Sequence, residues 1–453
     1  MKIVIAGCGK VGTAILSNLV REGHEVVAMD LSGKVIRELV NVYDVIGMVG
    51  NCTDCDVLTE ADIAEASLFV ATTGSDEINM LACFLAKRMG AKHTVARIRN
   101  PEYTDQSIGF MKQQLDISVI INPELLAAQE LFNILQLPGA VNVESFSKRN
   151  FEMVELILRE GSVLNGMSLM EMRKKYPASY LVCAVQRGEN VTIPGGSFCL
   201  QSGDRIGLIA SPVEIERLLK MLGTMLAKAH SVMILGASRT AFYLSKMLLA
   251  SGNSVTVIET DRDRCHEFAE ALPEAVIIHG DGASEELLNE EGISGVDAFV
   301  SLTGKDEENV LISYFAQGRG VGKIITKINR DEFVIMAEKM GLDSIVSPKK
   351  TVTDVVTRYA RALENTRGSS TMETLYKFMD DRAEAAEFQV RADFPFLNIP
   401  LKDLNLKANA LIGGIVRKRK VMIPSGSDVI QEGDRVIAVT GAGMIRDLTD
   451  VIR

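Results

Sequence analysis

The chain alternates between short apolar runs and longer amphipathic segments. From the start, the apolar run KIVIA is followed by a glycine-rich turn, an amphipathic segment and a second apolar run that ends at Asp30. Short continuous apolar runs are typical of strands buried on both faces, and the amphipathic segment between them predicts a helix. Strand, helix and strand in this order predict a parallel sheet covered by helices.

The same order of segments occurs twice. TTGSDEINM at 72–80 reappears as LTGKDEENV at 302–310, each time after a buried-strand pattern. A second, unlike pattern of Pro-Gly turns and short alternating strands also occurs twice, as IPGGSFCLQSGDRI at 193–206 and IPSGSDVIQEGDRV at 423–436. Self-similarity at a fixed shift indicates duplicated modules. The pattern therefore predicts an α/β protein in which two Rossmann-like parallel-sheet domains alternate with two small α+β domains.

Changes of pattern also predict the domain boundaries. The predicted segments are a Rossmann-like domain at 1–122, a crossover helix and linker at 123–140, a small α+β domain at 141–224, a second Rossmann-like domain at 229–347, a second crossover helix and linker at 348–382, and a second small domain at 383–453. The amphipathic helices at 123–137 and 348–363 could fold back on their own domain or cross to a partner. The polar stretch at 361–370 is predicted to be a linker or flexible loop.

Composition narrows the class of protein. The 453 residues are 47% hydrophobic and 24% charged, which suits several folded domains. No apolar run approaches the roughly 20 residues that span a bilayer, and the start lacks signal-peptide features, so we expect a cytoplasmic protein. A net charge of −10 argues against nucleic-acid binding. The seven scattered cysteines and five histidines predict neither a disulfide framework nor a metal site.

The turn after the first strand carries a dinucleotide-binding motif. GCGKVG places Gly7, Gly9 and Gly12 in a G-x-G-x-x-G pattern between a predicted strand and a predicted helix. The first glycine suits a tight turn, the second the close approach of a pyrophosphate, and the third close packing of the helix. The helix N-terminus adds free N–H groups and a positive dipole end. Asp30 can accept hydrogen bonds from both ribose hydroxyls, which favours NAD over NADP.

Further candidate contacts lie in the glycine turn and after the later strands. Lys10 lies close to where phosphates would bind, although most single lysines are ordinary surface residues. Arg97 ends a predicted strand at the sheet edge where ligands of such folds bind, and Thr72 and Thr73 follow the fourth strand at that edge. The predicted first site is completed by Cys8, Val11, Asn51 and Cys52.

The second copy keeps only part of the glycine motif. In GASRTA, Ser238 and Ala241 replace the second and third glycines and add bulk. Glu259 can still serve as the ribose acid. The predicted second site consists of Gly236, Arg239 at the position of Lys10, Glu259, Asp281 and Thr303. The sequence leaves open whether this site binds a nucleotide less tightly, binds a mononucleotide or binds nothing.

Over essentially its whole length, the chain resembles the RCK/KTN family of potassium-transport regulators. The resemblance is carried by the glycine motif together with TTGSDEINM and IPGGS…SGDRI. It implies a non-catalytic regulatory subunit that gates a Trk/Ktr-type potassium uptake system. Such subunits form a ring, expected to be a tetramer, beneath an integral membrane potassium-translocating subunit of the TrkH/TrkG type, at the inner face of the cell membrane. Bound NAD(H), ATP or ADP would bias the shape of the ring.

The resemblance also implies roles for individual residues. Asp30 would hold the ribose, and Lys10 and Arg97 would hold the phosphates. The loop GNCTDCDVL at 50–58 corresponds to a family pattern GDAT…VL, which the second half keeps as GDGASEELL. Asn51 thus replaces an aspartate that Asp281 retains, and this departure bears on the adenine side of the first site.

Two alternative functions are an NAD-dependent dehydrogenase and a redox sensor. A dehydrogenase needs an acid–base group near the nicotinamide, and the small domains contain no histidine. A redox sensor would use the C-x-x-C at 52–55 with Cys8, although intracellular thiols are commonly inert. The basic segment RKRK at 417–420 is predicted to be a charged hairpin turn and no nucleic-acid contact.

Overall fold

The computed structural model describes residues 1–101, 103, 105–147, 150–224, 228–365, 368–418, 420–441 and 443–453. These residues group into two compact units. The first unit holds 1–129, 239–243 and 347–360, and the second holds 130–238, 244–346 and 361–453. The predictions for 361–370 and 417–420 lie partly outside the described residues, at 366–367 and 419.

The first unit is built on a parallel sheet. Its strands are β1 (Lys2–Ala6), β2 (Glu25–Asp30), β3 (Ile46–Val49), β4 (Leu68–Ala71), β5 (His93–Arg97) and β6 (Val119–Ile121). Their spatial order is β3-β2-β1-β4-β5-β6, the order of a Rossmann-like sheet. The accompanying helices are α1 (Lys10–Arg21), α2 (Gly33–Val42), α3 (Cys55–Glu60), α4 (Asp76–Arg88), α5 (Asp105–Gln114) and the first part of α6 (Pro123–Gln136).

The apolar pattern explains why these segments form the centre of the sheet. Ile3–Ala6 of β1 and all of β4 have no exposed surface, as expected of continuous apolar strands covered on both faces. Helix α1 buries Ile15, Leu16 and Leu19, which lie on one face at helical spacing. The crevice between β1 and β4, at their carboxyl ends, is therefore flanked by rigid, buried elements.

Residues from the second half of the chain also belong to the first unit. They are 239–243, at the start of α9 (Arg239–Ala250), and 347–360, which include most of α14 (Pro348–Glu364). Buried Asn18 of α1 donates through Nδ2 to Thr357 Oγ1 of α14 at 2.5 Å. The second crossover helix therefore packs on the first parallel-sheet domain of its own chain.

The second unit contains another parallel sheet with the same strand order. Its strands are β12 (Ser231–Leu235), β13 (Ser254–Glu259), β14 (Val276–His279), β15 (Ala298–Ser301), β16 (Lys323–Lys327) and β17 (Ile345–Val346), in the order β14-β13-β12-β15-β16-β17. Its helices are α10 (Arg262–Ala271), α11 (Glu285–Glu290), α12 (Asp306–Gly318), α13 (Asp331–Lys339) and the remainder of α9. None of the helices in the described part of the chain combines the length and apolarity needed to span a membrane.

The second unit also holds two antiparallel sheets of matching topology. The first contains β7 (Asn142–Phe146), β8 (Phe151–Ile157), β9 (Tyr180–Arg187), β10 (Asn190–Thr192) and β11 (Arg205–Ala210), in the order β10-β9-β11-β8-β7, with helices α7 (Leu169–Lys175) and α8 (Pro212–Leu222). The second contains β18 (Ser370–Phe378), β19 (Ala383–Val390), β20 (Ala410–Arg417), β21 (Lys420–Met422) and β22 (Arg435–Thr440), in the order β18-β19-β22-β20-β21. The predicted alternation of two Rossmann-like domains with two small domains is confirmed.

The second antiparallel sheet begins earlier than the sequence indicated. Strand β18 starts at Ser370, inside the stretch 348–382 that was assigned to a crossover helix and linker. The preceding polar residues are tied down, because Asn365 Nδ2 and Ser370 Oγ both donate to Asp447 Oδ2 at 3.0 Å. Where the structure describes it, this stretch therefore differs from the flexible loop that its composition predicts.

The two antiparallel sheets share one hydrophobic core. Phe146 and Phe151 of the first sheet lie in the same buried cluster as Phe378 and Ile437 of the second. A Cβ on Gly414 would lie 2.8 Å from Phe151 Cζ, so glycine permits this close approach. The small domains therefore form one packed body within the second unit.

A buried lysine joins the second parallel sheet to the segment before β7. Lys323 Nζ donates to Ala140 O at 2.5 Å and to Ser344 Oγ at 2.8 Å, and Ser344 Oγ donates to Val141 O at 3.2 Å. Burial lowers the pKa of Lys323 to about 7, against the opposing effect of Asp343. Strand β16 thus holds the linker between α6 and β7 in place.

Candidate nucleotide-binding site

The first glycine loop, residues 7–12, connects β1 to α1. Gly7 has φ +86°, and a Cβ there would lie 2.6 Å from Thr73 N, so the position requires glycine. A Cβ on Gly12 would lie 2.0 Å from Gly7 O, whereas a Cβ on Gly9 would meet no atom within 4 Å. The geometry shows the predicted tight turn at Gly7 and the close helix packing at Gly12, whereas the approach of a pyrophosphate at Gly9 stays a prediction.

The first helix begins with free hydrogen-bond donors. Gly9 is the N-cap of α1 and provides no side-chain cap, whereas Ser32 and Ser75 cap α2 and α4 with their hydroxyls. Lys10, the first residue of α1, is exposed, and Val11 is partly buried. The unsatisfied N–H groups, the positive end of the helix dipole and the lysine ammonium can together bind phosphate.

Asp30 lies beside this loop at the end of β2. Its Oδ2 accepts from Cys8 N and its Oδ1 accepts from Ser32 N, both at 2.8 Å. Each carboxylate oxygen has a further lone pair, and the residue is partly exposed. Asp30 can therefore brace the loop and accept hydrogen bonds from ribose hydroxyls at the same time.

Thr72 and Thr73 use their hydroxyls within the protein. Thr72 Oγ1 donates to Gly7 O at 2.7 Å, and Thr73 Oγ1 donates to Asn79 Oδ1 at 2.7 Å. Asn79 Nδ2 in turn donates to Arg97 O at 2.9 Å. These two predicted contact residues therefore brace the strand ends that surround the crevice.

A buried aspartate explains why the polar loop after β4 occurs twice. Asp76 Oδ2 accepts from the backbone N–H groups of Arg99 and Asn100, each at 2.8 Å. In the second copy, Asp306 Oδ2 accepts the two equivalent N–H groups after β16 at 3.1 and 2.9 Å. Both aspartates are buried. The repeated sequence is therefore a structural brace between neighbouring strand ends in both domains.

Arg97 belongs to a cluster of charges at the same edge. Its Nη2 donates to Thr73 O, and its Nε is buried without a hydrogen-bond partner among the described residues. Burial lowers the pKa of Arg97, and Arg99 and Arg239 act in the same direction. Burial also raises the pKa of the Glu124 carboxyl, although these three arginines oppose that effect. An anionic ligand would stabilise such a cluster.

Three residues at this edge, Arg239, Glu124 and Tyr243, were not predicted to lie near Arg97. Arg239 was assigned to the second glycine loop, but it belongs to the first unit and acts on Arg97 and Glu124 there. Tyr243, one helical turn later, accepts from Asn122 Nδ2 at 3.0 Å. Glu124 and Tyr243 were missed because folding alone brings these distant segments together. The sequence did contain one indication for Glu124. The helix predicted to start after Asn122 puts Glu124 in the first turn of α6.

Asn51 and Asp281 have the same structural task. Asn51 Oδ1 accepts from Thr53 N at 3.1 Å, and Asp281 Oδ1 accepts from Ala283 N at 2.9 Å. Each side chain thus closes its own loop by bonding the N–H group two residues later. The exchange of aspartate for asparagine therefore keeps the loop contact, while it removes the charge and replaces one acceptor oxygen with an NH₂ donor.

Next to these loops, the two copies distribute side-chain volume differently. In the first copy, small Ala6 ends β1, and buried Cys52 lies in the loop between β3 and α3. In the second copy, Leu235 ends β12 and Gly282 occupies the loop. A Cβ on Gly282 would lie 1.9 Å from Leu235 Cδ1. Large and small residues have therefore changed places between the two copies.

Two of the three thiols in this region, Cys8 and Cys52, are poorly suited to redox chemistry. Cys8 and Cys52 are buried and free. Burial raises the pKa of the Cys8 thiol to about 12, with Asp30 acting in the same direction, and burial also raises the pKa of Cys52. The thiolate is the reactive form of cysteine. This environment therefore disfavours a redox role for Cys8 and Cys52, whereas Cys55 is exposed at the start of α3.

The second glycine loop, residues 236–241, keeps the turn but has a serine where the first loop has Gly9. Gly236 has φ +92°, and a Cβ there would lie 3.2 Å from Thr303 N. Ala237 N donates to Glu259 Oε2 at 2.7 Å, so the acid braces the loop as Asp30 does. Burial would raise the pKa of Glu259, but several backbone N–H groups outweigh it and lower the pKa. Partly buried Ser238 occupies the position that is open at Gly9.

Comparisons with known proteins extend over the same segments. The TrkA-N domain family matches residues 3–123 and 232–348, and the TrkA-C domain family matches 153–223 and 385–453. The TrkA homolog of the Trk potassium uptake system of Archaeoglobus fulgidus is 32% identical over 453 residues, which are 100% of both chains. TrkA of Haemophilus influenzae is 29% identical and aligns over 96% of this chain and 95% of the relative.

Solved structures show the same fold. The crystal structure of the GsuK RCK domain has a TM-score of 0.63 at 16% identity and covers 97% of this chain and 92% of its own. The GsuK channel bound to NAD has a TM-score of 0.63 at 17% identity, with coverage of 97% and 77%. The two domain families match most of the sequence, and the Archaeoglobus relative aligns over the full length of both chains. These two findings assign the chain to a family. The chain belongs to the TrkA family, in the form that carries the TrkA-N and TrkA-C pair twice.

Proposed function

We propose that the chain is the nucleotide-binding regulatory subunit of a Trk-type potassium uptake system, and that it acts by binding without catalysis. The observation that carries the proposal is the first glycine loop, where open space at Gly9 meets the uncapped end of α1 beside Asp30. The TrkA relatives are named for potassium uptake. The structural neighbour GsuK is a channel described with bound NAD and with bound ADP.

The proposed ligand of the first site is NAD(H), ATP or ADP. Asp30 accepts hydrogen bonds from the ribose hydroxyls, and the N–H groups of α1 bind the phosphates with Lys10 and Arg97. The second site binds more weakly, because Ser238 and Ala241 replace the second and third glycines of the motif and add side-chain bulk. The charge cluster around Arg97 adds attraction for a ligand with several phosphate groups.

The proposed mechanism is a ligand-dependent change of an oligomeric ring. The ring, a tetramer, lies at the inner face of the membrane on an integral subunit of the TrkH/TrkG type. A ligand shifts the ring between two shapes only if it binds them with different affinities. A tenfold difference supplies about 1.4 kcal/mol per site, so several coupled sites sharpen the response. Light scattering of the purified protein checks the assembly, and a molar mass of one chain would contradict it.

Isothermal titration with NADH, NAD, ATP and ADP tests the nucleotide site. Wild type should bind at least one of them saturably, and Asp30→Ala should weaken this binding about tenfold or more, because charged hydrogen bonds to ribose are lost. Asp62→Ala is the control, since Asp62 is a largely exposed carboxylate of the same domain. Glu259→Ala reports on the second site through the stoichiometry.

Two results would reject the proposal. Absence of binding to wild type would make the glycine loop purely structural. Oxidation of bound NADH by a simple carbonyl substrate would instead favour the dehydrogenase alternative.

A further inference from the structure

We propose that helix α14 senses the ligand state of the first nucleotide site. It contacts the two elements that carry the proposed phosphate-binding groups, α1 and β5, away from their ligand ends. The inference rests on the proposed function and adds the element that responds to the ligand. All the contacts that support it lie within the first compact unit.

The first contact is made by α1. This helix begins at Lys10, and Asn18 lies two turns further on, about 12 Å along the axis. Asn18 Nδ2 donates to Thr357 Oγ1 at 2.5 Å, and Thr357 Oγ1 donates to Thr353 O of α14 at 2.7 Å. Because the Thr357 hydroxyl accepts one bond and donates another, a shift of α1 alters the hydrogen bonding of α14 directly.

The second contact is made by β5. This strand ends at Arg97, and His93 begins it about 13 Å away. His93 Nδ1 lies 3.1 Å from Tyr359 Oη, and the two rings meet edge to face with centroids 5.9 Å apart. Burial lowers the pKa of His93, and nearby lysines act in the same direction, so a neutral imidazole can accept from the tyrosine hydroxyl.

Binding of a phosphate ligand would act on both contacts together. Arg97 now donates to the Thr73 carbonyl, and a phosphate would draw its guanidinium away from that bond. At the same time the ligand would attract the N-terminus of α1. Buried Val352 and Val356 belong to α14 itself, so the helix is held by packing as well as by the two hydrogen bonds. Further along the chain, α14 leads into β18 of the second antiparallel sheet.

Hydrogen exchange of the amides in 348–360 tests the inference, with and without the nucleotide that binds best. In wild type, saturation with nucleotide should change the exchange protection of α14. The double variant Thr357→Val/Tyr359→Phe removes both polar contacts and keeps the side-chain shapes. It should still bind nucleotide saturably but lose most of the ligand-induced change in exchange protection, because the coupling between the site and α14 is removed.

Thr353→Val is the matched control, since the Thr353 hydroxyl donates to Lys349 O of the same helix. It should retain the ligand-induced change. If Thr357→Val destabilises the fold, the same exchange measurement is made with Tyr359→Phe alone. If nucleotide binds to wild type and α14 shows no change, or if the double variant responds like wild type, the inference is wrong while the proposed function stands. Failure of any nucleotide to bind wild type would reject both.

Discussion

At the scale of single residues, similar sequence positions carry different physical tasks. Gly12 is required because the helix packs against the loop, whereas a Cβ on Gly9 would have no atom of the described residues within 4 Å. Asp30 was predicted as a ligand residue and also braces the loop through Cys8 N. A motif residue can therefore be needed for folding, for binding or for both, and substitutions can separate these tasks.

Two glycine substitutions should separate stability from binding. Gly12→Ala should lower the free energy of unfolding by about 2 kcal/mol or more, because its Cβ would collide with Gly7 O. Gly9→Ala should change it by less than about 1 kcal/mol, yet weaken nucleotide binding about tenfold or more by filling the phosphate space. Urea unfolding and calorimetric titration measure the two effects. Tight nucleotide binding by a stable Gly9→Ala protein would contradict the assigned task.

The buried Lys323 should make stability depend on pH. Its folded pKa of about 7 lies below the unfolded value of about 10.4. Between these values the unfolded state binds a proton that the folded state does not, so the lysine's contribution to the free energy of unfolding rises with pH, by at most about 1.4 kcal/mol per unit. Below pH 7, Lys323 is protonated in both the folded and the unfolded state. Its buried charge then lowers the free energy of unfolding by an amount that no longer changes with pH.

The comparison of wild type with Lys323→Met measures this contribution. Urea unfolding between about pH 6.5 and about pH 9 should show the stability of wild type rising relative to the variant. Lys339→Met, in which an exposed lysine of α13 is replaced, is the control and should give a constant difference. A constant difference for Lys323→Met as well would mean that its amine titrates normally.

At the scale of elements, the sequence was a good guide where local pattern decides the structure. The parallel strands, helix α1 and the position of Asp30 at the end of β2 follow from apolar runs and glycine spacing. The docking of α14 did not follow, since Asn18 and Thr357 are 339 positions apart and no local pattern encodes their pairing. Strand β18 was missed for a related reason, because its polar approach is ordered by the distant Asp447.

The repeated aspartates provide a test at this scale. Asp76→Ala and Asp306→Ala should each lower the free energy of unfolding by about 2 kcal/mol, since two backbone N–H groups lose a charged acceptor. Asp306→Ala should leave nucleotide binding at the first site intact. Glu60→Ala, at an exposed position of α3, is the control for lost surface charge. Equal stability of all three variants would show that the loop is not a structural brace.

At the scale of the whole molecule, each compact unit draws on both halves of the chain. Segments at 239–243 and 347–360 join the first parallel-sheet domain, and the antiparallel sheets share one core in the second unit. The second copy keeps the braces of the first, while serine replaces the glycine at the position of Gly9. Both halves have therefore kept the fold and its structural braces, whereas the glycine motif has changed.

Breaking a buried ion pair in the second unit should lower the free energy of unfolding more than breaking an exposed one. Arg361 has no exposed surface and binds both carboxylate oxygens of Glu384 at 2.8 and 2.9 Å. Arg361→Met should lower the free energy of unfolding by about 3–5 kcal/mol, because it leaves an unpaired buried carboxylate. Arg382→Met, which breaks the exposed pair with Glu189, should cost about 1 kcal/mol or less. Thermal or urea unfolding compares them, and similar losses would contradict the argument.

The exchange of volume between Ala6 with Cys52 and Leu235 with Gly282 has a consequence for recombination within the gene. A crossover that carried only the leucine-bearing strand into the first half would add a bulky side chain to the buried cluster that contains Ala6 and Cys52, and the reverse exchange would leave a void beside Gly282. Viable chimaeras of the two halves must therefore inherit strand and loop together. The two halves are alike in fold, but a single strand of one half cannot replace its counterpart in the other.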